Sequence, residues 1–382
     1  MIYLDNAATS WPKPEMVYQA VDNCLRSGGS PGRGTYASAQ RAVGILDQTR
    51  EALASLLGVS NPLQLVFASS ATDAVNTALF GAIKQGDRIV TTTIEHNATA
   101  RPLRYLSGIG IDIIKIPVNA AGQLDLLLLE RAVKTGVQAV VINHASNVSG
   151  AVMPLAEIGE IAKRHQALFI VDAAQTAGIE LIDAAQMHID LLAFSGHKGL
   201  FGPQGTGGLY IKENVTVRPT RYGGTGSLSE SDRQPGFLPD CLESGTPNMP
   251  GIAGLLAGVR FIAATGREVI KKRETVLSAE LIAGLKEIKQ VQIYGPADPA
   301  RRTAVVSFVV AGQDSRLVAV RLDKEFGIAC RAGLHCAPWA HETLGTIANG
   351  TVRLSPGFFN TSEEIAAVLQ AVRTIAEGGK YK

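Results

Sequence analysis

From residue 63 to residue 211 the chain alternates between apolar runs of strand length and longer segments of helical period. Strands are predicted at 63–67, 88–93, 111–116, 137–142, 167–171, 190–194 and 207–211, and helices at about 73–84, 98–107, 124–134 and 154–165. Helices at 14–26 and 39–57 precede them. Such alternation predicts an α/β fold with a mainly parallel sheet covered by helices on both faces. Residues 212–250 are rich in Gly, Pro, Ser and Thr, and a loop of that length in a compact domain is usually functional or an interface arm. Beyond it the pattern changes to helices near 251–264 and 267–286, strand 303–309, helix 315–325, strand 351–354 and helix 362–376, a smaller α+β domain. The expected division is an N-terminal segment 1–13 packing with the small domain, a large domain 14–259 and a small domain 260–382.

Two residues at strand ends carry chemistry. Lys198 follows the apolar run Leu191-Leu192-Ala193 within Phe194-Ser195-Gly196-His197-Lys198-Gly199, and Asp172 ends the run Leu168-Phe169-Ile170-Val171. Taken singly, a solvated lysine and an N-cap aspartate are the plainer readings. Together they match what pyridoxal phosphate needs: a lysine amine for its aldehyde, and a carboxylate to keep its ring nitrogen protonated. The large domain is therefore expected to hold that cofactor, with Lys198 as the Schiff-base lysine.

Other strand ends supply compatible groups. Ala68-Ser69-Ser70-Ala71-Thr72-Asp73 opens a helix after strand 63–67, and a helix N-terminus offers unpaired N–H groups to a phosphate. His96 follows strand 88–93; Asn147 and Gln175 can donate to the cofactor's phenolic oxygen, or simply shape turns. Several strand ends thus converge, as at the crevice of an open α/β sheet. Gly32-x-Gly34-x-x-Ala37 has the spacing of a dinucleotide fingerprint, but no strand precedes it, so NAD is rejected.

Of four cysteines, Cys24 has helical spacing among apolar residues and is expected in the core, while Cys241 and Cys330 have no activating neighbours. Cys336 lies in Arg331-Ala332-Gly333-Leu334-His335-Cys336-Ala337-Pro338, where cationic groups favour a thiolate nucleophile. His335, Cys336 and His341 lack a fourth ligand for zinc, so no metal is expected. Without a C-x-x-C pair the cysteines are expected to be free thiols in a reducing compartment. A net charge of +2 gives no field for nucleic acid. No targeting segment and no apolar run of about 18 residues is present, which points to a cytoplasmic protein away from membranes.

VDAAQ at 171–175 and FSGHKGLFGPQGTGGLY at 194–210 resemble the class V aminotransferase family of fold-type I pyridoxal phosphate enzymes. YLDNAAT at 3–9, ESGTPN at 243–248 and RAGLHCAP at 331–338 narrow the likeness to short-loop cysteine desulfurases and selenocysteine lyases. The resemblance implies phosphate contacts from Ala71, Thr72, Ser195 and His197, and from Thr225 of a second subunit in a homodimer. It implies His96 stacked on the cofactor ring, and Arg353, with Arg331, binding the substrate's α-carboxylate. The implied reaction takes L-cysteine, or L-selenocysteine, to alanine, with sulfur held as a persulfide on Cys336 and passed to an acceptor protein for iron–sulfur or thio-cofactor assembly. Tyr36 stands where such desulfurases usually carry histidine, and Ala337-Pro338-Trp339 departs from their pattern after the cysteine.

Overall fold

The computed structural model describes residues 1–32, 34–119 and 121–378; Arg33, in the glycine-rich loop, lies outside them. In chain order the elements are β1 (Ile2–Tyr3), α1 (Glu15–Ser27), α2 (Ala37–Leu57), β2 (Leu65–Ala68), α3 (Ala71–Ala82), β3 (Arg88–Thr92), α4 (Asn97–Gly108), β4 (Asp112–Ile116), α5 (Leu126–Val133), β5 (Ala139–Asn143), α6 (Leu155–Arg164), β6 (Leu168–Asp172), β7 (Leu191–Ser195) and β8 (Gly207–Ile211). After a long loop come α7 (Met249–Thr265), α8 (Arg267–Lys286), β9 (Val291–Tyr294), β10 (Val306–Val310), α9 (Ser315–Phe326), β11 (Ile328–Ala329), β12 (Arg331–Gly333), α10 (Pro338–Thr343), β13 (Thr351–Leu354) and α11 (Ser362–Ala376).

A seven-stranded sheet in the order β2-β8-β7-β6-β5-β3-β4 forms the large body. It is parallel except for β8, which runs against both neighbours. Strands β5, β7 and β8 are buried at every position, because helices cover both faces and leave no wet side. That is why their sequences read as continuous apolar runs. Phe169 and Phe194 are almost wholly buried in the core on one face, and each contributes about 1.5–3 kcal/mol by leaving water.

The second body is an antiparallel sheet, β12-β13-β10-β9, packed on α8, α9 and α11. Leu4 is fully buried in its core, and β1 pairs in parallel with β11, which ties the N-terminus to this body. Helix α7 passes through residue 260 without a break, and the chain bends by 85° between α7 and α8 at Gly266. Strands β9, β11 and β12 and helix α10 were not foreseen; runs of two to six residues carry too little period to read. Cys24 is only partly covered rather than in the core, because α1 fully buries a single residue, Val17. No single helix among the described residues is long and apolar enough to cross a membrane.

Candidate active site

Five strand ends on one edge of the large sheet build a pocket of about 80 Å³, lined among others by Ala71, Thr72, His96, Asn147, Asp172, Gln175, Ser195, His197 and Lys198. Its anion end is the first turn of α3. Ser70 caps that helix by accepting a hydrogen bond from the Asp73 N–H at 3.2 Å, which leaves the N–H groups of Ala71 and Thr72 at the positive end of the helix dipole. A Cβ at position 207 would come within 2.9 Å of the Ser70 carbonyl carbon. Only glycine there lets the turn rest on β8.

Burial sets the charges. Asp172 is 3% exposed, and the Ala174 N–H donates to its Oδ1 at 2.9 Å. Loss of water raises its carboxyl pKa, against the pull of that hydrogen bond and of the Lys198 cation. The same loss brings the Lys198 amine down to about 8; Asp172 opposes the shift, and the Arg353 and Arg331 cations add to it. His96 caps α4 by accepting the Ala98 N–H on Nδ1 at 3.0 Å, so its proton sits on Nε2. Burial and the nearby cations hold it at about 4, a neutral ring suited to stacking.

The Cys336 loop is held in a costly shape. His335 and Cys336 have φ values of 46° and 57°, and left-handed conformations of non-glycine residues cost about 1–3 kcal/mol each. Three anchors hold them: Asn97 N–H to the Cys336 carbonyl at 2.8 Å, Asn147 Nδ2 to the His335 carbonyl at 2.6 Å, and His335 Nε2 beside Thr351 Oγ1 at 3.0 Å. The result is an exposed Cys336 with Sγ 3.7 Å from Arg331 Nη2. Arg331 and Arg353 are directly opposed in the β12–β13 register, so two cations share one face of the sheet. Like charges in that position repel. Asp5 answers one of them, 2.7 Å from Arg353 Nη2, and Arg353 Nε stays buried without a partner among the described residues. The surplus positive charge suits a ligand carboxylate.

The structure gathers nine of the expected residues around one pocket, with Arg331, Arg353 and Cys336 at its side; Thr225 lies elsewhere, in a separate cavity of about 520 Å³ with Arg50 and Glu243. Gln175 donates to the Ala7 carbonyl at 3.1 Å, and Arg331 sits on a strand rather than in a loop. Asn143 is an unforeseen lining residue, and Glu95, next to His96 in the chain but not part of the lining, was not singled out either. Glu95 is fully buried, accepts from Thr92 Oγ1 at 2.6 Å, and is pushed up to about 8 by burial. Their signal was a polar residue at or just past a strand end, too common to single out. Pyridoxal phosphate fits this donor set. Among the described residues, Asn143 Nδ2, Asn147 Oδ1 and His197 Nδ1 are buried polar atoms without partners, an arrangement that costs free energy until a polar ligand answers them.

The sequence profile of the family described as Aminotransferase class-V matches residues 2–368. A probable cysteine desulfurase of Methanothermobacter thermautotrophicus is 34% identical, covering 99% of this chain and 95% of that protein. One from Pyrococcus abyssi is also 34% identical, covering 99% and 94%. The apo cysteine desulfurase of Thermococcus onnurineus superposes with a TM-score of 0.93 at 36% identity, over 99% of this chain and 95% of that one. The Escherichia coli cysteine desulfurase CsdA gives 0.88 at 29% identity, over 98% and 94%.

Proposed function

The chain belongs to the class V aminotransferase family, and from that premise we propose that it is a pyridoxal phosphate-dependent cysteine desulfurase, turning L-cysteine into L-alanine with the sulfur carried on Cys336. The observation that carries this reading is the exposed Cys336 Sγ beside Arg331, joined to the lysine pocket through Asn147 and the His335 carbonyl. An aminotransferase has no use for a thiol there.

The first turn of α3 with Ser195 and His197 would hold the cofactor's phosphate, His96 the ring face, Asp172 the ring nitrogen and Lys198 the aldehyde carbon. Bound so, pyridoxal phosphate supplies an electron sink for charge left at the substrate's α-carbon. Arg353 and Arg331 fix the substrate's α-carboxylate. Lys198 Nζ, brought down to about 8, takes the α-proton as general base. Cys336 Sγ attacks the substrate sulfur: the S–S bond forms, the Cβ–S bond breaks, its electron pair stays with the carbon fragment, and that fragment leaves as alanine. The same groups accommodate L-selenocysteine. The sulfur then passes to an acceptor protein, for iron–sulfur or thio-cofactor assembly.

The test is product analysis. Reconstituted protein given L-cysteine and a reductant should release alanine and sulfide in equal amounts. Accumulation of pyridoxamine phosphate and a keto acid instead would make it an aminotransferase.

A further inference from the structure

On the outer side of Cys336 lies an open groove of about 430 Å³, within the range of small-molecule sites. Its walls come from two helices read at one spacing: Thr72, Asn76 and Phe80 along α3, and Asn97, Arg101 and Tyr105 along α4. Residues four apart share a helix face, so each helix gives the groove one continuous stripe. Asn97 anchors the Cys336 end through its N–H. Phe80 and Tyr105 close the far end as an edge-on pair with centroids 5.7 Å apart. Arg101 stands between, one turn or about 6 Å beyond Asn97 along the helix.

The charges select the occupant. No carboxylate lines the groove, and among the described residues the exposed Arg101 has no acidic partner. Arg331 adds a second cation at the sulfur. We infer that this groove is the sulfur-acceptor site and that it takes a thiol bearing a carboxylate, the thiol at Cys336 and the carboxylate on Arg101. The inference rests on the desulfurase reading above. In the step, the acceptor thiolate attacks the outer sulfur of the Cys336 persulfide. A new S–S bond forms to the acceptor, the Sγ–S bond breaks, and its electron pair returns to Cys336 Sγ; no oxidant or reductant enters. A small mercapto acid, or a cysteine with an acidic neighbour on an acceptor protein, offers this chemistry.

Holoenzyme is charged with L-cysteine, freed of excess substrate, and discharged at matched thiolate concentration while the persulfide is followed by mass. The probes are 3-mercaptopropionate against 2-mercaptoethanol, and blocked Asp-Cys against Asn-Cys dipeptides. The acid should win by about fivefold, the weight of one unit-charge contact in water. Arg101→Ala should abolish that preference and leave the 2-mercaptoethanol rate unchanged. Preference for the small acid points to a small acceptor, and preference only within the peptide pair points to a protein. Equal rates for acid and neutral probes in the unmodified protein, or a preference that survives Arg101→Ala, overturn the site. Absence of any persulfide would instead sink the desulfurase reading, and the groove is then judged by alkylation of Cys336. There Arg101→Ala should lower the ratio of iodoacetate to iodoacetamide rates by about fivefold, and an unchanged ratio rejects it.

Discussion

Burial at Lys198 turns an ordinary ammonium into a usable amine. In the folded apoprotein the amine is protonated below about 8 and free above it. Uptake of pyridoxal phosphate by apoprotein, followed by absorbance, should therefore quicken as pH rises through about 8 and then level. His96 is held at about 4, so its ring stays neutral across this range. A profile flat from pH 6.5 to 9 would refute the argument from burial. Cys336 is the exposed cysteine, with Arg331 beside its sulfur. Burial pushes the Cys330 thiol up to about 12 and raises Cys241. Cys336→Ala should keep the cofactor but lose alanine formation from L-cysteine by at least about a hundredfold, the cost of removing a catalytic group. Selenium leaves carbon more readily, so selenocysteine cleavage should largely survive. Near-normal alanine release from L-cysteine in that variant would remove the persulfide from the mechanism. Lys198, Asp172 and Cys336 were legible because each signal is local: a strand end, or a loop with its neighbours. The opposition of Arg331 and Arg353 was not, since it depends on a register between strands that no single segment encodes.

Helix α7 shows the same limit one scale up. Its apolar character was plain, but Gly251, Gly254 and Gly258 form a stripe against which the chain after Lys198 seats. A Cβ at Gly258 would stand 2.2 Å from the Leu200 carbonyl oxygen, in backbone that cannot swing aside. Gly258→Ala should cost about 1–3 kcal/mol in urea unfolding and lower activity by displacing the segment that carries Lys198. Gly108→Ala at the end of α4 meets nothing within 4 Å and should be neutral or stabilising by about 0.5 kcal/mol. Equal unfolding midpoints for the two variants would contradict the close approach. The long elements were readable for a related reason. Helices α8 and α11 and strand β13 fall on the expected residues because their period or apolar run is unbroken. The reversed direction of β8 was hidden, because an apolar run looks alike whichever way it enters a buried sheet.

At the scale of the molecule, Thr225 is the residue out of place. It lines the cavity with Arg50 and Glu243, apart from the pocket of Lys198, in a segment from 212 to 248 that forms neither helix nor strand. That segment exposes Tyr222 at 73% and Phe237 at 47%, and Tyr36 nearby in sequence to the glycine-rich loop is 57% exposed. Aromatic residues left in water on a long arm are what a subunit interface covers. We propose a homodimer in which each arm carries Thr225 to the partner's phosphate site. Sedimentation should then give about twice the chain mass of 40.2 kDa, with an interface at or above the standard size of about 1,600 Å². The sharper measurement mixes two inactive or weakened chains. Lys198→Ala lacks the amine, and Thr225→Val lacks the hydroxyl that reaches across. In a mixed dimer one site takes Lys198 from the second chain and Thr225 from the first, so it is intact and activity should return above that of either parent. If Thr225 served its own chain, the only site with a lysine would still lack the hydroxyl, and mixing would restore nothing.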